Sequence, residues 1–185
     1  GDDAVRFHLA NAANWRPSVR YRGTPGRFDS FVGTVRLNEL GADPVTGEEW
    51  VELWNGGRES VEMGGWTLTD DPLVPRRWTF PAGTSLGAGQ YLVLNRGQLG
   101  FGLANPGDRT FLMEISEANG LRFQDSVRFL GMEGSEPWGV FDGSDGIPEF
   151  TRLREATPGA RNALPQIGPV VISEILLKPV DGRAQ

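Results

Sequence analysis

Short runs that mix large apolar and polar residues, punctuated by glycine, proline and asparagine, make up most of the chain. Trp50-Val51-Glu52-Leu53-Trp54 is aromatic and β-branched and stops at Asn55-Gly56-Gly57. Val61-Glu62-Met63 runs into Gly64-Gly65, and Trp66 to Thr69 stops at Asp70-Asp71-Pro72. Trp78-Thr79-Phe80 ends at Pro81, and Gln90 to Leu94 at Asn95-Arg96-Gly97. Arg109 to Ile115 and Leu121 to Leu130 flank Glu117-Ala118-Asn119-Gly120, where Asn-Gly between two such runs signals a hairpin. Trp138 to Phe141 and Phe150 to Leu153 close the series. No stretch keeps apolar residues at helical spacing between caps. About nine short strands with a turn signal every ten residues or so predict an all-β sandwich or barrel. Within Leu121–Leu130, strict alternation places Leu121, Phe123, Asp125, Val127 and Phe129 on one face, which predicts a strand buried on that side.

A longer period overlies the strand pattern. VRLNEL at residues 35–40 returns as VISEIL at 171–176, and Thr24-Pro25-Gly26 returns as Thr157-Pro158-Gly159. Glu39 and Glu174 stand 135 residues apart, and Thr24 and Thr157 stand 133 apart. Two markers with nearly one spacing indicate a tandem array, with a unit much longer than a solenoid repeat. The expected parse is the end of one unit over 1–28, a complete unit over 29–165, and a linker with the opening strand of a third over 166–185. The unpaired strand at 170–177 would expose backbone groups able to self-associate edge to edge.

The full sequence holds 26 glycines, 13 prolines and no cysteine, with a net charge of −6. Disulfides and thiolate metal sites are therefore excluded, and a general nucleic-acid surface, which needs many basic residues, is disfavoured. No apolar run is long enough to span a membrane as a helix. GDDAVRF at the start is neither basic nor followed by an apolar core, so it is not read as a signal peptide.

From residue 35 onward the motifs resemble, in order, those of the lamin tail domain family in its bacterial form. Leu37-Asn38-Glu39-Leu40 matches the opening strand, and Glu49 to Asn55 matches the E-W-aliphatic-E-aliphatic-aromatic-N motif. Met63 to Asp70 matches L-x-G-W-x-L-x-D with Met in place of Leu; Phe80 to Val93 matches F-P-x-G-T-x-L-x-x-G-x-Y-L-V. Thr157 to Asn162 matches the closing T-P-G-x-x-N. The resemblance spans about 35–162 and implies an immunoglobulin-like β-sandwich, secreted or on a bacterial cell surface. Several motif residues have a physical reading of their own. Gly64-Gly65 supplies a turn that lets Trp66 enter the core, Gly87-Ala88-Gly89 turns into the strand at Tyr91, and Pro158-Gly159 suits a type II turn.

Candidate chemistry is sparse. Gly83-Thr84-Ser85-Leu86-Gly87 matches G-x-S-x-G, but a nucleophile elbow needs a strand before, a helix after and a downstream histidine. The one histidine, His8, lies upstream. Ser85 therefore reads as a loop residue and His8 as a surface one. Asp142-Gly143-Ser144-Asp145-Gly146 lacks the Glu of a calcium loop, since Leu153 stands at position 12; it reads as a polar turn. Asp70-Asp71 reads as an Asx-type turn. Glu49 and Glu52 fall on opposite faces of one strand and so form no acid–base pair. Among the tryptophans, Trp66 fits the core, Trp50 and Trp54 share a face opposite Val51 and Leu53, and Trp78 and Trp138 stand next to strand ends. Core or rim packing is expected for each, with Trp78 and Trp138 the alternative candidates for exposure and stacking on sugar rings.

No catalytic, cofactor-binding or metal-ligating residue is assigned, and no ligand-binding residue is identified. The expected function is a non-catalytic structural or interaction module of a larger secreted or cell-surface protein. Its expected partners are a protein or cell-surface component and the neighbouring units of the same chain. The alternative is a targeting or carbohydrate-binding appendage of a secreted hydrolase, which an exposed, coplanar pair of tryptophans would favour.

Overall fold

The computed structural model describes residues 34–103, 109–116, 120–129, 136–142 and 148–166. Eleven strands and one helical turn are found there, against the nine strands predicted. β3 (Val61–Glu62) and β5 (Trp78–Thr79) fall on predicted runs. The two strands beyond the nine are β1 (Val35–Ala42), read from the repeated phrase, and β6 (Ser85–Leu86), a two-residue piece inside what reads as a loop. The longer elements are β1 (Val35–Ala42), β2 (Glu49–Asn55), β4 (Thr67–Thr69), β7 (Tyr91–Asn95), β8 (Arg109–Ser116), β9 (Gly120–Arg128), β10 (Trp138–Asp142) and β11 (Pro148–Arg152).

Two antiparallel sheets carry the fold. The first has five strands in the order β11-β10-β1-β2-β7, the second four in the order β5-β4-β8-β9, and β3 pairs with β6 separately. One apolar cluster draws on both, with Leu37, Leu40, Val51, Leu53 and Leu94 from the first and Leu68, Leu112, Val127 and Phe129 from the second. This is an immunoglobulin-like β-sandwich, as the strand pattern and the resemblance imply.

Local chemistry closes the connections. Asp43 Oδ1 accepts the amides of Val45 and Thr46 at 2.9 and 2.8 Å, which shapes the β1–β2 turn. Gly65, at φ +84°, allows a tight turn in which the Trp66 amide donates to the Met63 carbonyl. Trp66 then packs, half-buried, against the core. The Gln90 amide donates to Gly87 as the chain turns into β7. After β7 comes α1 (Arg96–Leu99), a single turn closed by a reciprocal Asn95–Gln98 capping box. One helical turn is too short to show a period, so in the sequence Asn95-Arg96-Gly97 signals a strand stop alone. Beyond it Leu99, Phe101 and Leu103 enter the core.

The strand at 121–130 needs correction. A register shift sets Leu112 opposite Asp125 but Met113 opposite Phe123, so Gln124 is an extra residue in β9. A bulge of this kind exchanges the faces on either side of it. Val127 and Phe129 join the main core, while Leu121 and Phe123 join Phe111 and Met113 in a second cluster. Asp125 is buried on the inner side and accepts the Leu37 amide at 2.8 Å, which joins the second sheet to β1 of the first.

Candidate functional site

On β1 the chain carries a second bulge, between Leu37 and Glu39. Leu37 and Leu40 both reach the core, and Asn38 is the residue that makes this possible. Glu39 is thereby turned to the outer face of the five-stranded sheet, opposite Glu52 on β2. Two carboxylates directly across an antiparallel pair repel each other. Both are nevertheless fully buried, at 0% exposure.

The closing segment resolves the conflict. Residues 157–162, here called the strap, reach both carboxylates. The Thr157 amide donates to Glu39 Oε1 at 2.9 Å and its hydroxyl to Glu39 Oε2 at 2.8 Å. The Asn38 side-chain amide donates to Glu52 Oε1 at 2.7 Å, and the Gly159 amide donates to Glu52 Oε2. Each of the four carboxylate oxygens thus accepts a hydrogen bond from the chain. Asn162 fastens the far end: its Nδ2 donates to the carbonyls of Val140, at 2.8 Å, and Asn38, at 3.1 Å. Its Oδ1 accepts from Asn38 at 2.7 Å. Pro158-Gly159 makes the expected turn, with φ +80° at Gly159 and the Ala160 amide donating to the Thr157 carbonyl.

Burial pushes the Glu39 carboxyl up from its ordinary 4.5 to about 7; the Thr157 bonds pull it back and the Glu52 charge adds to the rise. Burial also raises Glu52, against the bonds from Gly159 and Asn38. The sequence reading placed Asn38, Glu39, Glu52 and Thr157–Asn162 as family motifs without joining them. The recurrence of the N/S-E and T-P-G markers with one spacing was the available signal that the two belong together.

Next to this pair, on the same face, Arg36, Trp54 and Tyr91 form a row across β1, β2 and β7. The Arg36 guanidinium lies 4.4 Å over Trp54, and Tyr91 stacks on Trp54 with centroids 6.3 Å apart. Trp54 and Trp50 do share a face opposite Val51 and Leu53, which enter the core. Each indole lies over a glycine. A Cβ on Gly41 would meet Trp50 at 2.4 Å and one on Gly56 would meet Trp54 at 2.5 Å.

The remaining candidates are scattered. Ser85 is exposed on β6, followed by a turn and β7 rather than by a helix. Glu49 turns away from Glu52 and accepts the Leu103 amide at 2.8 Å. Asp71 forms the Asx-type turn, accepting the Leu73 amide at 2.8 Å, and Asp70 pairs with Arg77 at 2.5 Å. Asp142 ends β10; Asp145 and His8 lie outside the described residues. Trp138 packs in the core, as expected for each tryptophan, and is not the exposed stacking candidate that its strand-end position offered. It is 4% exposed, paired between β1 and β11, and its ring stacks on Phe150. Trp78 is half-buried and packs edge-on to Phe80 at 4.5 Å. Among the described residues, no group of three or more acidic or histidine side chains converges as a metal site would require.

The architecture defines an antiparallel, immunoglobulin-like β-sandwich module. The lamin tail domain family model matches residues 30–129, more than half of the chain, and the chain belongs to that family. The match takes in Glu39 and Glu52 but stops short of the strap. Neither the curated proteins nor the solved structures give a match.

Proposed function

We propose that this chain is a non-catalytic structural or interaction module of a larger bacterial protein, secreted or on the cell surface. One observation carries the reading. The most chemically unusual groups of the described residues, Glu39 and Glu52, are fully buried, and all four of their oxygens are occupied by donors from the chain itself. Carboxylates held in this way close a fold; an acid–base pair needs an opening to substrate. Family membership agrees with an interaction module. Among the described residues no helix is long and apolar enough to cross a membrane.

The tandem arrangement belongs to the same proposal. The clasp joins an N-E opening strand to a T-P-G closing strap within residues 29–165. The second copies of those markers, Thr24-Pro25-Gly26 and Ser173-Glu174, therefore suit the end of a preceding unit and the start of a following one. The carbohydrate-binding alternative calls for exposed, coplanar tryptophans. Those described are buried or half-buried, which supports the first reading.

The test has two parts. The 185-residue chain is assayed against ester, phosphoester and glycoside substrates, and no turnover is expected. It is then mixed with bacterial cell envelopes and sedimented, and saturable co-sedimentation is expected. Turnover abolished by Ser85→Ala or Glu52→Gln, or the absence of any envelope binding, overturns the proposal.

A further inference from the structure

We propose that Arg36, Arg161 and the Tyr91 hydroxyl form a docking point for carboxylates of an acidic peptide segment on a partner protein. The inference rests on the interaction-module reading and gives that module a surface. Its first support is the cross-strand row. Arg36 on β1 stands opposite Trp54 on β2, and Trp54 stands opposite Tyr91 on β7, so the three side chains share the outer face. The Arg36 guanidinium, 4.4 Å from the Trp54 ring centroid, offers its planar fork of N–H donors at this face. That geometry fits the paired oxygens of a carboxylate.

The second support is that this charge is unmatched. Arg36 has no ion pair among the described residues, and its Nε is buried without a hydrogen-bond partner. Arg161 is exposed, also without an ion pair there, and follows Gly159 by two residues on the strap. Glu52, the nearest buried carboxylate on the face, is already engaged by Asn38 and Gly159. Burial and the Glu52 charge push the Tyr91 hydroxyl above its ordinary value, whereas Arg161 and Arg36 pull it down, so both cations act on that one hydroxyl. Two unmatched guanidiniums beside a phenol make a local positive point that attracts a carboxylate and orients it, against the net charge of −6 of the whole chain.

The same geometry selects among anions. Arg36 and the Gly56 backbone already cover Trp54, so a sugar ring would have to displace the guanidinium to stack there. Two guanidiniums are few for a phosphate backbone, whose binding scales with the number of phosphates neutralised. Side chains of an acidic peptide meet the requirement with the least rearrangement.

The test uses the full chain titrated with a short poly-glutamate peptide, followed by calorimetry and tryptophan fluorescence. Poly-glutamine of equal length and a sulfated oligosaccharide serve as comparison ligands. Poly-glutamate is expected to bind saturably and to weaken as salt rises. Arg36→Gln combined with Arg161→Gln is expected to weaken it roughly ten-fold or more, and Tyr91→Phe by a smaller factor. Arg161→Glu alone, at an exposed position, is expected to abolish binding without altering the unfolding midpoint, so loss of fold cannot imitate the result. Equal affinity in wild type and variants, binding of poly-glutamine as tight as poly-glutamate, or binding of the saccharide alone overturns the site. If the variants still sediment with envelopes as the wild type does, this site is wrong and the module reading stands; if neither peptide nor envelope is bound, both fall.

Discussion

Glu39 costs the protein stability at neutral pH, and the sign follows from its position. Its carboxyl titrates near 7 in the folded chain and near 4.5 when unfolded. The folded state therefore binds the proton more tightly, and stability falls as pH rises through that window. At 1.36 kcal/mol per pKa unit, the loss between about pH 4.5 and 7 is about 3 kcal/mol. Glu52, raised by the same burial, acts in the same direction. Glu39→Gln keeps an acceptor for the Thr157 amide and removes the charge. Urea unfolding of both proteins at several pH values is expected to show the variant gaining about 3 kcal/mol on the wild type from pH 4.5 to 8. A pH-independent difference between the two would remove Glu39 from this role. Asp125 is a residue of another kind, placed between the sheets. Asp125→Ala withdraws the acceptor at the Leu37 amide, and a loss of about 1–3 kcal/mol in the same measurement is expected.

At the scale of elements, the strap is a tied strip rather than a strand, and Asn162 is its outermost knot. Asn162→Ala removes four described bonds, to Asn38 and Val140. A destabilisation of about 2–3 kcal/mol is expected. Hydrogen exchange should accelerate at the Thr157 and Gly159 amides well before that of Val51 in the core strand β2; uniform acceleration would show that the strap does not open separately. Legibility in the sequence divides along the same line. β1, β2, β7 and the β8–β9 hairpin were readable because alternation and Asn-Gly turns are local signals. The bulges at Asn38 and Gln124 were not. One extra residue is decided by what faces the strand, and it reverses every later side chain. That is why Asp125 and Val127 were assigned correctly to each other's face while Leu121 and Phe123 were misplaced. The Glu39–Glu52 pair was hidden for the same reason: its members become neighbours only after the β1 bulge and the register with β2 are set. Trp138 keeps exposure open as an alternative in the sequence because it stands at a strand end, where a sequence gives no view of β1 and β11 on either side.

For the whole molecule, the repeated phrase and its closing tripeptide are two halves of one lock. Among the described residues, the buried apolar side chains run from Val35 to Leu153, yet the fold is not finished at the end of β11. It still needs Thr157, Gly159 and Asn162 to cover the carboxylates that the first two strands bring together. This fixes what a cut through the closing segment should cost. Beyond the strap, the Gln166 amide donates to the Arg152 carbonyl. A chain ended after Gln166 keeps every donor of the strap, so any change in its unfolding midpoint is expected to be the same at pH 5 and pH 8. One ended after Glu155, only eleven residues shorter, strips Glu39 of its Thr157 donors and Glu52 of Gly159, leaving only the Asn38 bond to Glu52, and is expected to lose about 3 kcal/mol or more at pH 8. The second loss should shrink at pH 5, where Glu39 is protonated and the repulsion it feels from Glu52 is relieved. Thermal unfolding of both truncations at the two pH values separates a lock from a mere tail: equal, pH-independent losses for the two cuts would mean that the closing segment only adds length.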